Sequence, residues 1–440
     1  MKSHLKKVLI SPLLLCILLT GSTLMAEPAG NHLGLDAAID EAIRNNRLVH
    51  EAIEQEQAAV QGEKKVRADL LPKVSTSYTY SHLRHDPYTF FGSRKVIVGP
   101  RDNILWDFTV TQPLFTGFAL TTKRKIAALD IDIRKILREQ AILDIIKQVK
   151  VAYLNILLAR RALEVADEEV NQLQAHVHDA EQLYGQGIIP YNDLLKSRVA
   201  LAQALQNKTK AKSNLEVAVS GLNALLNREI TTKTEIEELP PFTPGRYEIT
   251  TLFKEALHNR PELKQLKMAI KQAELGIRLA KSAYYPQVFL NGRYERKGDD
   301  WEASHNTFGN DHNSSVTLQL TWSLFEWGKR KAGIAEAIHR KRALEEKMAG
   351  IKDSILLEVK QAYQDLKVAE KNIHTAAEAL KQAKENFRIT NLQYREGITT
   401  STEVLDARTF LTQAEFNYHR ALYGYRIAEA ELKRAIGEKR

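Results

Sequence analysis

Two carboxylates near the end of the sequence have the spacing of an ion-selecting pair. Glu403 and Asp406 lie three residues apart, so a helix would present both on one face. Rings of acidic side chains favour cations and concentrate the electric field in a narrow mouth of low dielectric constant. On spacing alone, an ordinary acidic pair on an exposed helix surface is the commoner explanation. The elements around the pair must therefore decide its role.

Histidines offer a second possible chemistry, which is metal binding. His176 and His178 are two residues apart, so a helix would point them to different faces and they make no metal pair. Further possible ligands of a divalent ion lie in one polar stretch: His305, His312, Asp299, Asp300 and Asp311. Such residues are also typical of a solvated loop, which is the commoner case. We predict no metal site and no cofactor.

The sequence contains no convergent set of catalytic residues. It has no glycine-rich phosphate loop, no nucleophile elbow and no HExxH motif. Its single cysteine, Cys16, falls in a predicted signal, so the mature chain has no thiol nucleophile and no disulfide. The net charge of +9 arises from interspersed charges of both signs, which is typical of solvated helices rather than of nucleic-acid binding. We predict that the protein is not an enzyme and binds no nucleic acid.

Residues 1–26 have the layout of a secretory signal. Three lysines precede an apolar run over 8–19, and small or polar residues lead to a cleavage point after Ala26. The apolar run is too short to span a bilayer, which takes about 20 residues. We predict an exported protein with a cleaved signal, and an uncleaved anchor is the alternative.

The chain after the signal contains an internal duplication. Tyr184-Gly-Gln-Gly-Ile188 matches Tyr394-Arg-Glu-Gly-Ile398, and Leu71-Pro72 matches Tyr285-Pro286 at a similar offset. A repeat of this length indicates a duplicated subdomain rather than a short solenoid unit. The predicted divisions are a first repeat over 27–227, a proline-rich linker over 228–250 and a second repeat over 251–440.

Most of each repeat is predicted to be long helix. Apolar residues recur at spacings of three and four over 149–184 and again over 359–394, which predicts coiled-coil packing. The stretch 124–184 contains no proline, and as one helix it would reach about 90 Å. A return helix follows each long helix after a short turn led by Gly187 or Gly397.

The remainder of each repeat is predicted to form two strands. Alternating apolar residues over about 72–82, 104–114, 286–296 and 314–324 fit membrane barrel strands, and a soluble sandwich is the alternative. The residues predicted to face lipid are Tyr78, Trp106, Phe108, Leu318 and Trp322. Polar stretches at 83–103 and 297–313 would be the outer loops. Four strands cannot close a barrel, but three chains would make a twelve-stranded barrel without open edges.

These features together predict an α+β membrane protein. Four barrel strands per protomer would join a trimeric β-barrel, and long antiparallel coiled-coil helices would make up most of the rest of the chain. The most specific motif is Tyr394-Arg-Glu-Gly-Ile-Thr-Thr-Ser-Thr-Glu-Val-Leu-Asp-Ala407. With the duplicated strand and helix layout, this motif resembles the helix tip of the TolC-like outer-membrane efflux family, and the resemblance covers nearly all of the mature chain.

The resemblance implies a function and a location. It implies a homotrimer with a barrel in outer-membrane lipid of a Gram-negative bacterium and a helical tunnel in the periplasm. The tunnel would dock onto an inner-membrane transporter through a periplasmic adaptor protein, in efflux or type I secretion. A periplasmic coiled-coil scaffold without a pore is the alternative. Drugs, metal ions and polypeptides all remain open as cargo.

The resemblance also implies roles for residues at the helix tip. Glu403 and Asp406 match the family's acidic pair, which lines the pore at its closed end. Tyr394 and Asp193 match positions whose contacts keep the channel shut. The best-known member of the family carries an arginine where this chain has Thr399, so a charge-assisted link from that position is absent here. The closed state would then be latched differently.

Overall fold

The computed structural model describes residues 32–240 and 244–439, and the predicted signal over 1–26 lies outside them. The helices are α1 (Leu35–Asn45), α2 (Arg47–Ala68), α3 (Ala119–Gly185), α4 (Tyr191–Leu225), α5 (Ile249–Asn259), α6 (Pro261–Lys281), α7 (Lys329–Arg395) and α8 (Ser401–Ile436). The strands are β1 (Lys73–His82), β2 (Tyr88–Phe91), β3 (Arg94–Ile97), β4 (Asp102–Thr116), β5 (Gln287–Gly298) and β6 (His312–Thr321). Across the described residues, none of the helices combines the length and the apolar character that crossing a membrane takes.

The long helices α3 and α7 are equal in length. Each contains 67 residues, which corresponds to about 100 Å. No proline interrupts either helix, so neither loses a backbone hydrogen bond in its interior. Each begins directly after a residue in the left-handed region, Phe118 at φ 68° and Gly328 at φ 84°. The prediction of long helices is confirmed, and α3 begins five residues before the predicted stretch.

The long helices pack side by side in one layer. In the half of the layer near the α3–α4 turn, α3 packs between α4 and α8, and α8 packs between α3 and α7. In the other half, α3 packs between α2 and α6, and α6 packs between α3 and α7. The layer therefore ends in α4 and α2 on one side and in α7 on the other.

The core lies where the short helices α1 and α5 pack on the long ones. One cluster surrounds Val149, Tyr153 and Leu222, and an equivalent cluster surrounds Val359 and Leu432. The Tyr153 hydroxyl donates to the carbonyl oxygens of Leu33 at 2.9 Å and Glu237 at 2.8 Å. Since Leu33 and Glu237 are also hydrogen-bonded to each other, these bonds tie the segment before α1 and the segment after α4 together onto the middle of α3. Beyond the clusters, the α7 residues facing α8 are only half-buried, except for Tyr394, which is buried.

The four long strands form one antiparallel sheet in the order β1-β4-β5-β6. They occupy the stretches predicted to be barrel strands. The register pairs Tyr78 with Trp106, Phe108 with Tyr294, and Leu290 with Leu318. Since neighbours in register share a face, one face of the sheet is mainly apolar. The other face carries serine, threonine, asparagine and charged residues.

The stretch 83–103, predicted to be a polar loop, contains a hairpin. Strands β2 and β3 pair antiparallel, with Phe91 opposite Arg94, and Gly92 takes a φ of 62° in the turn between them. Glycine adopts this backbone conformation without a steric cost. The prediction missed these strands because each is only four residues long, which is too short for an alternating pattern to show.

Candidate functional site

The two long hairpins turn at the same end of the helical layer, which we call the tip. Gly187 and Gly397 stand in the turns at φ 73° and 72°. The amide of each following isoleucine donates back to a carbonyl five residues earlier, at 2.9 Å for Ile188 and 2.8 Å for Ile398. This pattern satisfies carbonyl groups at the helix ends and needs a residue that accepts positive φ. The two tip turns are therefore structural copies of one another.

The acidic pair lies on the exposed face of α8, one turn from the tip. Glu403 and Asp406 are exposed, whereas Ser401, Val404 and Ala407 are buried. The Thr400 hydroxyl caps the helix by accepting from the Glu403 amide at 3.4 Å. A carboxylate in the first turn also interacts favourably with the helix dipole. The local sequence thus aims both carboxylates away from the core.

Tyr394 and Asp193 both lie at the junction of the two hairpins. The Tyr394 side chain is only 1% exposed. Burial raises its pKa, and the carboxylates of Asp193 and Asp179 add to the shift. Asp193 pairs with Lys196 at 3.3 Å, and the Lys196 ammonium group also donates to Thr402 at 3.2 Å. Asp193 therefore connects α4 to α8 through a lysine.

A buried polar cluster occupies the same junction. His176 Nε2 lies 2.9 Å from the Ser401 hydroxyl oxygen, which lies 3.0 Å from that of Ser197. The Ser197 hydroxyl donates to the Asp193 carbonyl at 2.9 Å. The rings of His176 and Tyr394 lie 4.8 Å apart. These contacts join α3, α4, α7 and α8, and we call His176, Ser197, Tyr394 and Ser401 the tip cluster.

Two arginines of the second hairpin also contact α3. Arg395 pairs with Asp179 at 3.1 Å. Arg408 is buried, donates to the Gln172 side chain at 2.5 Å and lies over the ring of Phe387. Sequence reasoning missed both arginines and three residues of the tip cluster, namely His176, Ser197 and Ser401, whereas Tyr394 is one of the predicted gate-closing residues. The signal that could have found His176 is the periodicity of α3, because it lies three residues after Leu173 and four before Ala180, which are both buried.

The histidines of the polar loop do not converge. His305 pairs with Asp299 at 3.0 Å, and His312 pairs with Asp311 at 2.9 Å. Asp300 accepts from the amides of Ser304 and His305. Within 32–240 and 244–439, no three side chains of ligand type are grouped so that they could hold a metal ion.

The residues predicted to face lipid lie at the apolar face of the sheet. Tyr78, Trp106, Phe108 and Leu318 share this face by register, and all four are exposed. Trp322 lies one residue beyond β6, and its indole donates to the Tyr284 carbonyl at 3.1 Å. On the opposite face, Arg293 pairs with Asp107 and Glu295.

A sheet with one apolar and one polar face, continued by helices of about 100 Å, defines a membrane channel subunit with a long helical extension. A family model described as "Outer membrane efflux protein" matches residues 38–228 and 252–438. The chain belongs to this family. The first matched block runs from α1 to α4 and includes β1 to β4, and the second runs from α5 to α8 and includes β5 and β6.

Individual relatives agree with the family. The chain is 24% identical to the alkaline protease secretion protein AprF of Pseudomonas aeruginosa, over 91% of this chain and 84% of the relative. It is 21% identical to the outer membrane protein TolC of Escherichia coli, over 98% of this chain and 87% of the relative. Its fold is similar to the Campylobacter jejuni CmeC outer membrane channel, with a TM-score of 0.77, 17% identity and coverage of 92% and 85%.

The family sets the location and the general role. The protein is an outer-membrane protein with a large periplasmic helical part, and it is a channel protein of efflux or secretion. The predicted resemblance, fold class and location are confirmed. The pore-lining, gate-closing and lipid-facing roles of individual residues stay predictions.

Proposed function

We propose that three copies of this chain assemble into a closed channel, which is the exit duct of an efflux or type I secretion system. The three sheets form one twelve-stranded barrel in outer-membrane lipid, and the helices form a tunnel through the periplasm. An inner-membrane transporter supplies energy and substrate, and a periplasmic adaptor protein joins it to the tunnel. The duct itself conducts passively.

The observation that carries this proposal is the match between two open edges. The sheet ends in β1 and β6, and the helical layer ends in α2 and α4 on one side and α7 on the other. Because β1 follows α2 and β6 precedes α7, the open edges of the sheet and of the helical layer lie on the same two sides. A head-to-tail ring closes both at once and leaves no unpaired strand edge.

Exposed apolar stripes on the edge helices support the same ring. On α4, Val199 and Val217 are 70% and 68% exposed, and their spacing of 18 residues corresponds to about five helical turns. On α7, Leu357 and Val368 are 68% and 57% exposed, and their spacing of 11 residues corresponds to about three turns. Each pair therefore forms one stripe, which a neighbouring chain would cover.

The two faces of the sheet support the barrel. Membrane barrels place apolar residues toward lipid and polar residues toward the lumen, and the smallest have about eight strands. In this chain the polar face carries Asp107, Arg293 and Glu295, and the apolar face carries Trp106 and Leu318. Three chains supply enough strands to surround a water-filled lumen.

The tip forms the gate in this proposal. Glu403 and Asp406, exposed on α8, line the narrow inner end and select cations. Tyr394 and Asp193 contribute to the contacts that keep the end closed. The supporting observation is that all four residues lie within one turn or two of the junction between the two hairpins.

A groove between α7 and α8 is the proposed seat of the adaptor. It has a volume of 690 Å³ and is lined largely by small residues, among them Ala369, Ala376, Ala414, Ala421 and Gly424. Small side chains allow the backbone of another helix to approach closely. Val368 also lines this groove, so the adaptor helix would lie beside the boundary that α4 of the next chain covers.

The experiment is to measure mass and conduction on the same preparation. We expect light scattering in mild detergent to give three times the mass of one mature chain, and planar bilayers containing that fraction to show discrete channels. A monomer or dimer of stable size would contradict the ring, and a trimer without conductance would contradict the duct.

A further inference from the structure

The tip cluster contains the imidazole of His176, which has no role in the gate proposed above. Resting on the proposed function, we infer that His176 is the latch of the tip, and that its protonation releases the α7–α8 hairpin from the α3–α4 hairpin. The neutral imidazole bonds Ser401, the first residue of α8. Because Glu403 lies two residues further on, this bond fixes the start of the helix segment that carries the acidic pair.

Counting protons in the cluster fixes the tautomer of His176. The Ser197 hydroxyl proton is engaged with the Asp193 carbonyl. The contact between Ser197 and Ser401 therefore takes the Ser401 proton. Ser401 then has only lone pairs left for His176, so His176 Nε2 must carry a hydrogen and donate it. The neutral Nε2–H form therefore accounts for the three hydrogen bonds that link His176, Ser401, Ser197 and the Asp193 carbonyl.

The other ring nitrogen explains the sensitivity to acid. His176 Nδ1 is buried without a hydrogen-bond partner, so a proton added there would be an unpaired donor on a charged ring. A buried charged donor without a partner is strongly unfavourable. Protonation thus leaves the Ser401 bond in place but destabilises the packed state that contains it.

Charged or titratable groups from all four helices surround the latch. They are Asp179 on α3, Asp193 and Lys196 on α4, Tyr394 and Arg395 on α7, and Arg408 on α8. Burial lowers the pKa of His176, and the Asp179 carboxylate offsets part of this shift. That carboxylate is already paired with Arg395. Arg395 and Arg408 also line the cavity of 260 Å³ beside His176, so a third positive charge there is disfavoured.

The sign of the pH response follows from these surroundings. In the released tip the ring is solvated and its pKa returns toward about 6.5. The packed tip holds the ring neutral. The packed state is therefore favoured when the pH is above the pKa of the solvated ring, and it becomes less stable as the pH falls below that value. Between the pKa of His176 in the packed tip and its pKa in the released tip, the equilibrium constant for release grows by up to about tenfold for each unit that the pH falls, in each chain.

A buried cysteine can report release without relying on conductance. Val404 is 2% exposed and lines the same cavity, so a maleimide reaches Val404→Cys only when the tip opens. The probe is placed in the full-length protein in three backgrounds: wild type, His176→Gln and His178→Gln. Glutamine at 176 keeps an amide donor for Ser401 but cannot titrate. His178 is exposed on the same helix, so its replacement is the matched control.

We expect the labelling rate of the wild type, relative to the His176→Gln protein at the same pH, to rise several-fold between pH 7.5 and 5.5. The His178→Gln protein should follow the wild type. His176→Phe, which removes the donor, should label quickly at both pH values. Equal rates in the His176→Gln and His178→Gln proteins across this range would overturn the latch.

Channel recordings on the same proteins test the duct separately. A protein that labels as expected but never conducts would contradict the proposed function and would leave the latch unaffected.

Discussion

At the scale of single residues, burial separates two kinds of polar side chain at the tip. On α8, Ser401, Val404 and Arg408 are buried, whereas Glu403 and Asp406 are exposed. The buried residues are spaced three and four apart, so they lie on one face of α8. Because this face packs against α3, it also fixes the direction in which the carboxylates of Glu403 and Asp406 point. A buried polar group that loses its partner costs about 1–3 kcal/mol. The tip cluster therefore specifies one packing of the two hairpins.

The first residue-scale prediction concerns the acidic pair. Replacing Glu403 by Gln together with Asp406 by Asn removes six carboxylates from a trimer without changing side-chain size. Because a ring of acidic residues favours cations, the double variant should show lower cation selectivity. The measurement is the reversal potential in planar bilayers under a salt gradient.

The matched control for the acidic pair is Glu378→Gln. It removes a carboxylate from the exposed surface of α7, far from the tip, and should leave the reversal potential unchanged. If the double variant keeps the selectivity of the wild type, Glu403 and Asp406 face away from the pore.

Sequence reasoning found the acidic pair and Tyr394 at the tip but missed the polar residues buried beside Tyr394. Glu403 and Asp406 are neighbours on one helix, so their spacing reveals their common face. His176, Ser197 and Ser401 come from three helices, and their contacts depend on how two hairpins pack. The helical spacing of His176 from Leu173 and Ala180 places it on the buried face of α3, but only the fold supplies its partner.

At the scale of elements, the two faces of the sheet are set by a period of two. The neighbours Thr317 and Leu318 lie on opposite faces of β6, opposite Asn291 and Leu290. This alternation could be predicted because the runs are long and their register is set by the apolar face. The short β2–β3 hairpin could not, since four residues carry too little alternation to stand out from a loop.

The element-scale prediction uses this pair of neighbours. An arginine at Leu318 would enter the lipid-facing side, where the cost near the bilayer midplane is about 2–4 kcal/mol. An arginine at Thr317 faces the lumen and should cost far less. The measurement is the free energy of unfolding from lipid vesicles, with both variants compared with the wild type. Equal losses at the two positions would contradict the assignment of faces.

At the scale of the whole molecule, the internal repeat produces two helical hairpins of equal length. The helical layer and the sheet that contain them each end in two edges without a partner element in the same chain. The two long helices have the same length, so both hairpins end at one level. The distance of a residue from the tip, measured along the helix axis, can then be compared between the edge helices α4 and α7. Val217 is 26 residues from the start of α4, or about 39 Å along the axis. Val368 is 27 residues from the end of α7, or about 41 Å.

The last prediction follows from these equal heights. If α7 of one chain packs against α4 of the next, Val217 and Val368 of adjacent chains face each other across the boundary. The sequence has one cysteine, Cys16, within the predicted signal, so a protein with Val217→Cys and Val368→Cys carries only the introduced thiols after cleavage. Mild oxidation should join three chains covalently and give dimer and trimer bands on a denaturing gel without reductant.

Two matched controls make the cross-link specific. Each single cysteine variant should give no trimer band. The pair Val199→Cys with Val368→Cys should also fail to cross-link. Val199 lies eight residues from the start of α4, which places it about 28 Å nearer the tip than Val368. A covalent dimer without a trimer would indicate a two-fold interface instead of a ring. Efficient cross-linking of the mismatched pair would show that the edges do not meet in register, and the head-to-tail arrangement of α4 and α7 would then be wrong.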